Sequence, residues 1–337
     1  MKVGFDISQI IHPGGVAGYT KNLALELQKH HDLEMVFFFS ALRKSYRGPL
    51  KNVKKFRLPP TLFEVLFNKI RNVGIEKFIG PVDIYHSSDW VQPPNKAKKV
   101  TTYHDVIALK YPQWSHPKIV SVNKTRLKIV ENEVDKIIAV SGSTKNDLLE
   151  ISKLKPDQIE VIYEGVSENF KPAGEKDQTE FKKKYNLPEK FVLAIGGVGE
   201  RKNLERIKSA AGDFNLVTTF EDLPVLTDEE LPLLYSSAQA LVYTTLYEGF
   251  GLPILEAMAT GTPVITSNIS SMPEIAGNAA ILVDPAKTED IKKNLKQILN
   301  DKEMQKELVE KGLKRAKEFT WEKAANKTAK LYEDLMK

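Results

Sequence analysis

No cysteine occurs among the 337 residues, so a disulfide framework, a thiolate metal site and a cysteine nucleophile are all excluded. The composition fits a reducing compartment. The six histidines, His12, His30, His31, His86, His104 and His116, include no pair four residues apart, the spacing that sets two imidazoles on one helix face for zinc. A structural metal is therefore not expected. No run of about 18 apolar residues is present and the first eight residues lack the apolar core of a signal peptide, so the expectation is a cytoplasmic chain that does not span a membrane. With 42% apolar and 28% charged residues the chain is neither disordered nor collagen-like, and at ~150 residues per domain its length suggests two globular domains.

The net charge of +5 is unevenly spread. Residues 1–168 hold 25 Lys and Arg against 18 Asp and Glu, whereas residues 169–337 hold 24 against 26. Much of the excess lies in Leu42–Pro60, where Arg43, Lys44, Arg47, Lys51, Lys54, Lys55 and Arg57 meet no acidic residue and apolar Leu62, Phe63, Val65, Leu66, Phe67 and Ile70 follow. Two readings stand. The segment docks on an anionic membrane on the cytoplasmic face or on a lipid-diphosphate acceptor, or it is a solvated surface followed by a core-facing helix. Nucleic acid is not an expected partner, because no aromatics interleave with these cations as stacking would require.

Val3–Ile7 reads as a strand, followed by a turn at Gly14-Gly15 and a helix with Tyr19, Leu23 and Leu27 four residues apart. Further apolar strand candidates fall at Met35–Phe39, Val82–His86, Lys99–Tyr103, Lys136–Val140 and Ile159–Tyr163, with helical patterns between several of them. Around Ser167–Leu187 the pattern loosens, and Lys190–Ile195 starts a second series with Leu216–Thr219, Ala240–Thr244, Pro263–Ser267 and Ala280–Val283. Strands alternating with helices predict two α/β domains with doubly wound, mostly parallel sheets over 1–168 and 169–318, a cleft between them and chemistry drawn from the βα loops. The chain from Lys287 onward reads as helical, and Trp321, Ala324, Ala325, Thr328 and Leu331 follow helical spacing, so 319–337 is expected to be a helix crossing back to the first domain.

The most informative segment runs from Ala240 to Ala259: an apolar strand, a loop Glu248-Gly249-Phe250-Gly251-Leu252-Pro253, and a helix for which Pro253 suits the first position. The amides of Gly249, Phe250, Gly251 and Leu252 would lie at a helix N-terminus, which favours an anion such as a phosphate. Glu248 and Glu256 could address opposite ends of one ligand, or be a loop residue and a partner of the helix dipole. Arg201 and Lys202 follow the Gly196-Gly197 turn, where two adjacent cations can neutralise a departing diphosphate. As a plain helix start they would put cations at the wrong end of a dipole. His104 follows a strand, and Asp105 beside it could orient the imidazole or cap the next helix.

Glu248-x7-Glu256 within Glu-Gly-Phe-Gly-Leu-Pro resembles the Glu-x7-Glu motif of retaining family 4 glycosyltransferases of the GT-B fold. Other pieces agree in order and spacing: Gly14-Gly15, Thr102-Tyr-His-Asp105, Ala139-Val-Ser-Gly-Ser-Thr144, Gly196 to Asn203, Ser271-Met-Pro-Glu-Ile275 and Val283-Asp-Pro285. The resemblance implies two Rossmann-like domains, the second holding the sugar nucleotide and the first the acceptor. It implies Glu256 on the donor ribose, and Glu248 on the transferred sugar, a residue once proposed as nucleophile in this family. It implies His104 near that sugar, Arg201 and Lys202 on the diphosphate in place of a metal, and Gly14 and Gly15 near donor phosphate or acceptor. Gly197 stands where the commonest pattern has arginine, and Gly-x-x-x-Arg-Lys-Asn resembles the mannosyltransferase-like branch instead. The implied activity is metal-independent, retaining hexosyl transfer without a cofactor, most simply of mannose from GDP-mannose with a UDP-sugar as the other donor, to a glycan or lipid-linked acceptor. Domain closure would keep water from the donor. A sugar-nucleotide epimerase of the same fold and a catalytically degenerate nucleotide-sugar-binding protein are the alternatives. Between Ser209 and Leu226 about one helix of the family pattern is absent, with Leu216–Thr219 and Leu223–Leu226 as candidate remnants of its two flanking strands. Either the domain is naturally short there or residues have been lost.

Overall fold

A parallel strand pair cannot be closed by a tight turn, so apolar runs separated by helix-length segments assemble side by side through crossovers. The computed structural model describes every residue except Pro13, Ser88 and Val198, and the side chain of Pro60. Its contacts divide it into two units, Met1–Gly165 together with Trp321–Lys337, and Val166–Thr320.

The first unit is built on β1 (Lys2–Asp6), β2 (Glu34–Ser40), β3 (Val53–Phe56), β4 (Ile84–Ser87), β5 (Lys98–Tyr103), β6 (Lys136–Ala139) and β7 (Ile159–Val161). They lie in the order β3-β2-β1-β4-β5-β6-β7, all parallel. The central strands are buried on both faces, which is why they read as unbroken apolar runs and not as alternation. One side of the sheet packs Val36, Phe38 and Tyr85 against Phe63, Phe67, Ile75 and Ile79. The helix Trp321–Met336 belongs to this unit: Trp321, Ala324, Ala325, Thr328 and Leu331 are buried, and its Tyr332 hydroxyl lies 2.6 Å from His86 Nδ1.

The second unit carries β8 (Val192–Ala194), β9 (Leu216–Thr218), β10 (Ala240–Tyr243), β11 (Val264–Ser267) and β12 (Ile281–Val283) in the order β12-β11-β10-β8-β9, again all parallel. Val192, Val242, Ile265 and Val283 pack against Ile207, Ile291, Leu295 and Leu308 of the covering helices. Each unit is thus the doubly wound α/β layer that the alternation of strands and helices predicts.

Two local expectations need correcting, and one strand goes beyond them. Val53–Phe56, inside the basic stretch, is an edge strand paired with β2, and its exposed Lys54 and Lys55 blunt that edge. Leu223–Leu226 is irregular and forms no strand: Asp222 Oδ2 accepts from Thr218 N at 2.7 Å and turns the chain directly after β9, and Pro224 has no N–H for a ladder. Pro253 occupies the second, not the first, position of the helix Leu252–Ala259.

Candidate functional site

In the second unit the loops after β8 and β10 are sewn together at the carboxyl ends of adjacent strands. The loop after β8 needs glycine, since Gly196 has φ +153° and Gly199 φ +130°. The Lys202 side chain lies across Gly196, its Cδ 3.2 Å from where a Cβ would stand. Val198 in this loop is outside the described residues. The chain then makes a short 3₁₀ turn, Glu200–Lys202, and enters the helix Leu204–Ala211 through Asn203, which adopts φ +60°. The buried Asn203 amide donates to Thr244 O and to Pro285 O, both at 2.8 Å, and so ties the ends of three strands into one piece.

This frame brings Arg201, Lys202 and Glu248 together. Arg201 Nη1 and Lys202 Nζ each lie 2.8 Å from the same oxygen, Oε1 of Glu248. Arg201 also donates to Tyr247 O at 3.0 Å, and Lys202 stands 5.5 Å above the Tyr243 ring. Burial alone would push the Glu248 carboxyl up, but the charges of Lys202 and Arg201 and hydrogen bonds from Lys202 and Tyr243 hold it below the usual carboxylate range. Glu248 is therefore ionised at neutral pH. Its backbone is fixed as well: Ser270 Oγ donates to Glu248 O at 2.6 Å, and Ser271 Oγ donates to Phe250 O at 2.7 Å.

Glu256 lies on the helix that begins at Leu252 behind Gly251, whose φ of +109° makes the turn. Its Oε2 accepts from the buried Tyr235 hydroxyl at 2.6 Å. Burial, then the Glu256 charge, raises that phenol far above its ordinary range, so it stays a donor. Tyr243 senses both carboxylates, burial first and then Glu248 raising its phenol, with Glu256 a smaller contribution. Gly249, Phe250, Gly251 and Leu252 form the loop and helix start between the two acids.

His104, Gly14 and Gly15 lie in the first unit. Gly14, φ +117°, caps the helix Gly15–Leu27. One turn along that helix, Tyr19 meets the His104 ring edge-on at 4.5 Å between centroids and shares a 3.0 Å hydrogen bond with Thr102. Thr102 in turn bonds His86 Nε2 at 2.8 Å. Burial, then the nearby His104, lowers the His86 pKa to about 3, so His86 is a neutral structural link. The partner of the His104 imidazole is Glu164, whose Oε1 is 3.1 Å from Nδ1, while Asp105 accepts from Ile107 N at 3.0 Å at the start of the next helix. Burial disfavours the imidazolium, but Glu164, Asp89 and Asp105 outweigh it and raise the His104 pKa.

That shift carries a sign. A folded pKa above the unfolded value of about 6.5 means that the stabilisation is complete below pH 6.5 and fades as pH rises through the folded value. The melting-temperature loss on Glu164→Gln is expected to be largest below about pH 6.5 and to shrink above it. An NMR titration of His104 in the variant should show its pKa reduced; an unchanged value would remove Glu164 as the cause.

Glu164, Tyr235, Asn203, Ser270 and Ser271 are the residues that sequence reasoning did not assign to the site. Among them only Asn203, directly after Arg201-Lys202, and Ser271, at the head of Ser-Met-Pro-Glu-Ile, stood inside a segment already singled out.

Residues 13–170 match the model for Glycosyltransferase Family 4, and residues 175–315 that for Glycosyl transferases group 1. The chain is 29% identical over 287 residues to O-antigen chain mannosyltransferase B of Escherichia coli, an alignment covering 74% of each protein. It is 28% identical over 266 residues to the serotype-specific mannosyltransferase WbdA of Escherichia coli, covering 68% of this chain and 32% of that longer protein. Sucrose-phosphate synthase from Thermosynechococcus elongatus has the same fold, with a TM-score of 0.78 at 21% identity over 99% of both chains. Two model matches covering most of the sequence, on two parallel α/β units, place the chain in the family 4 glycosyltransferases of the GT-B fold.

Proposed function

We propose that the chain transfers a mannosyl residue from GDP-mannose, with retention of configuration, to a glycan or lipid-linked acceptor. The observation that carries this reading is the pair of cations meeting at one carboxylate oxygen, 2.8 Å from each, at the strand ends of the second unit. Two cations held close together by one carboxylate at the strand ends are pre-set to meet a diphosphate, with Glu248 as the anion that keeps them in place. The choice of mannose rests on the likeness to O-antigen chain mannosyltransferase B; a UDP-sugar is the second donor to test.

Glu256 is assigned to the ribose, because a carboxylate accepts from two vicinal hydroxyls at once and the Tyr235 hydroxyl fixes its direction. The loop amides of Gly249, Phe250, Gly251 and Leu252, with Gly14 and Gly15 of the first unit, are assigned to phosphate or sugar. His104, steadied by Glu164, is assigned to a hydroxyl of the transferred sugar. A carboxylate depressed by two cations is a weak nucleophile, so Glu248 serves better as the charge partner of Arg201 and Lys202 and as a hydrogen-bond acceptor for the sugar. In the reaction the bond from the anomeric carbon to the diphosphate oxygen breaks as the acceptor oxygen bonds on the same face. The acceptor proton passes to the departing diphosphate, so no protein base is consumed. Because Arg201 and Lys202 supply the charge a divalent ion would otherwise supply, turnover is expected to persist in a metal chelator.

Incubation with GDP-, UDP- and ADP-sugars, followed by nucleoside diphosphate release and product analysis, tests the reading. Transfer or slow hydrolysis of GDP-mannose supports it, and epimerised nucleotide sugar would replace it with the epimerase alternative. Among the described residues no helix is long and apolar enough to cross a membrane, and we assign to Leu42–Pro60 a peripheral contact with anionic lipid on the cytoplasmic face. Cosedimentation with anionic vesicles should fall with salt and on neutralising Lys51, Lys54 and Lys55; indifference to both would exclude that contact.

A further inference from the structure

The terminal helix Trp321–Met336 reaches Tyr19, the ring packed against His104, by two routes. Trp321 and Tyr332 lie about three turns apart and so share one face of that helix. Trp321 meets the Tyr19 ring edge-on at 5.8 Å between centroids. Tyr332 reaches it through a chain of hydrogen bonds: its hydroxyl to His86 Nδ1 at 2.6 Å, His86 Nε2 to Thr102 Oγ1 at 2.8 Å, and Thr102 Oγ1 to the Tyr19 hydroxyl at 3.0 Å. The chain joins the helix Gly15–Leu27, the adjacent strands β4 and β5, and the terminal helix. It ends on the Tyr19 ring, which stands edge-on to His104 at 4.5 Å.

None of Tyr19, His86, Thr102 and Tyr332 is more than 3% exposed, so water does not replace a broken link. His86 is neutral: one ring nitrogen donates while the other accepts, and the hydrogen bond made at Nδ1 decides which role Nε2 takes toward Thr102. What Tyr332 does on one side of the imidazole is therefore passed to Thr102 on the other. Thr102 has a single hydroxyl proton for its contacts with His86 and Tyr19, so the state of the first contact constrains the second. The Thr102 backbone is held separately, by Arg126 Nη2 donating to Thr102 O at 2.7 Å. The chain thus governs side chains and not the path of β5. At its end, Glu164 pins His104 at Nδ1 alone, and an imidazole pinned at one atom can still turn about that contact. The edge-on Tyr19 ring blocks the turn.

We infer that Tyr332 is a positioning residue for His104: through His86 and Thr102 it fixes the Tyr19 ring, and Tyr19 sets the plane of the imidazole while Glu164 sets its nitrogen. For its effect on the reaction the inference rests on the reading above that His104 meets a hydroxyl of the transferred sugar. For its geometry it rests on the first unit alone.

Kinetics of GDP-mannose transfer by Tyr332→Phe, His104→Ala and the double variant test it, since Tyr332→Phe removes one hydroxyl and keeps the ring. Tyr332→Phe should lower kcat roughly three- to tenfold with the donor KM changed less than about twofold, and should cost nothing further once His104 is replaced. Tyr19→Phe breaks the chain at its other end and should give the same loss, with no further loss on adding Tyr332→Phe. Leu331→Ala, buried on the same helix but outside the chain, should lower the melting temperature at least as much and leave kcat intact. Proton–nitrogen NMR of the histidine rings reads the geometry without turnover: Tyr332→Phe should shift the ring signals of His104 as well as those of His86. An unchanged kcat in Tyr332→Phe beside a reduced one in His104→Ala, losses that multiply in the double variant, or His104 signals unmoved by Tyr332→Phe would each overturn the inference. The two readings fail separately. GDP-mannose left untouched by the wild type, or transferred equally well by His104→Ala, would remove the donor or the His104 assignment, while a His104 signal that follows Tyr332→Phe would still uphold the positioning.

Discussion

Lys202→Ala is expected to lower kcat for mannosyl transfer by on the order of 10²–10³, the usual loss when one pre-oriented donor is taken from a developing anion. The affinity for the intact donor should change less, because charge on the diphosphate grows as the glycosidic bond breaks. Arg201→Ala should act in the same direction, and the double variant should lose less than the product of the two, since both cations address one point through Glu248 Oε1. The same geometry predicts a stability effect of opposite origin. Glu248→Gln leaves two partly buried cations facing each other without their anion, at a cost of about 3 kcal/mol, measurable by urea unfolding of the second unit's signal. If Glu248→Gln proved neutral in stability and Lys202→Ala neutral in kcat, the cluster would be neither a charge clamp nor a structural ion triad.

Glu256→Ala is expected to weaken nucleotide-sugar binding by roughly 10–100-fold, about 1.5–3 kcal/mol for hydrogen bonds to a charged group. Because the assigned partner is the ribose, free GDP should weaken by the same factor as GDP-mannose, and a dideoxyribose analogue should bind wild type and variant alike. Tyr235→Phe removes the hydroxyl that donates to Glu256 at 2.6 Å and should reproduce a smaller part of the loss. A loss seen with GDP-mannose but absent with GDP would move Glu256 from the ribose to the sugar.

Much of the fold could be read directly because strands buried on both faces must be apolar runs, and β2, Glu-Met-Val-Phe-Phe-Phe-Ser, is the plainest of them. The strand that escaped, β3, is an edge strand of two lysines between Val53 and Phe56, where exposure replaces the apolar signal. Leu223–Leu226 misled for the converse reason: its leucines resemble a short strand, but Val225 is 97% exposed and the sheet ends at β9. The place of Arg201, Lys202 and Glu248 on strand-end loops was legible, because such loops of a parallel sheet converge whatever lies between them, but their meeting at one oxygen was not. Nor were their supports. Glu164 reaches His104 across 60 residues, Ser271 reaches Phe250 across 21, and Tyr235 reaches Glu256 from a preceding helix, contacts that no local period encodes. Asp105 shows the limit well: it accepts from Ile107 N and its charge still helps to raise the His104 pKa, but the carboxylate at the imidazole Nδ1 is Glu164, brought by the β7 end.

The most direct test of the central reading is a proton NMR time course of the purified chain with GDP-mannose and a mannoside acceptor, in the presence of a metal chelator. The account predicts GDP release coupled to a new anomeric signal of the same configuration as the donor, lost together in Lys202→Ala. A product of inverted configuration, turnover that ceases without metal, or GDP-mannose untouched while another nucleotide sugar is consumed would contradict it.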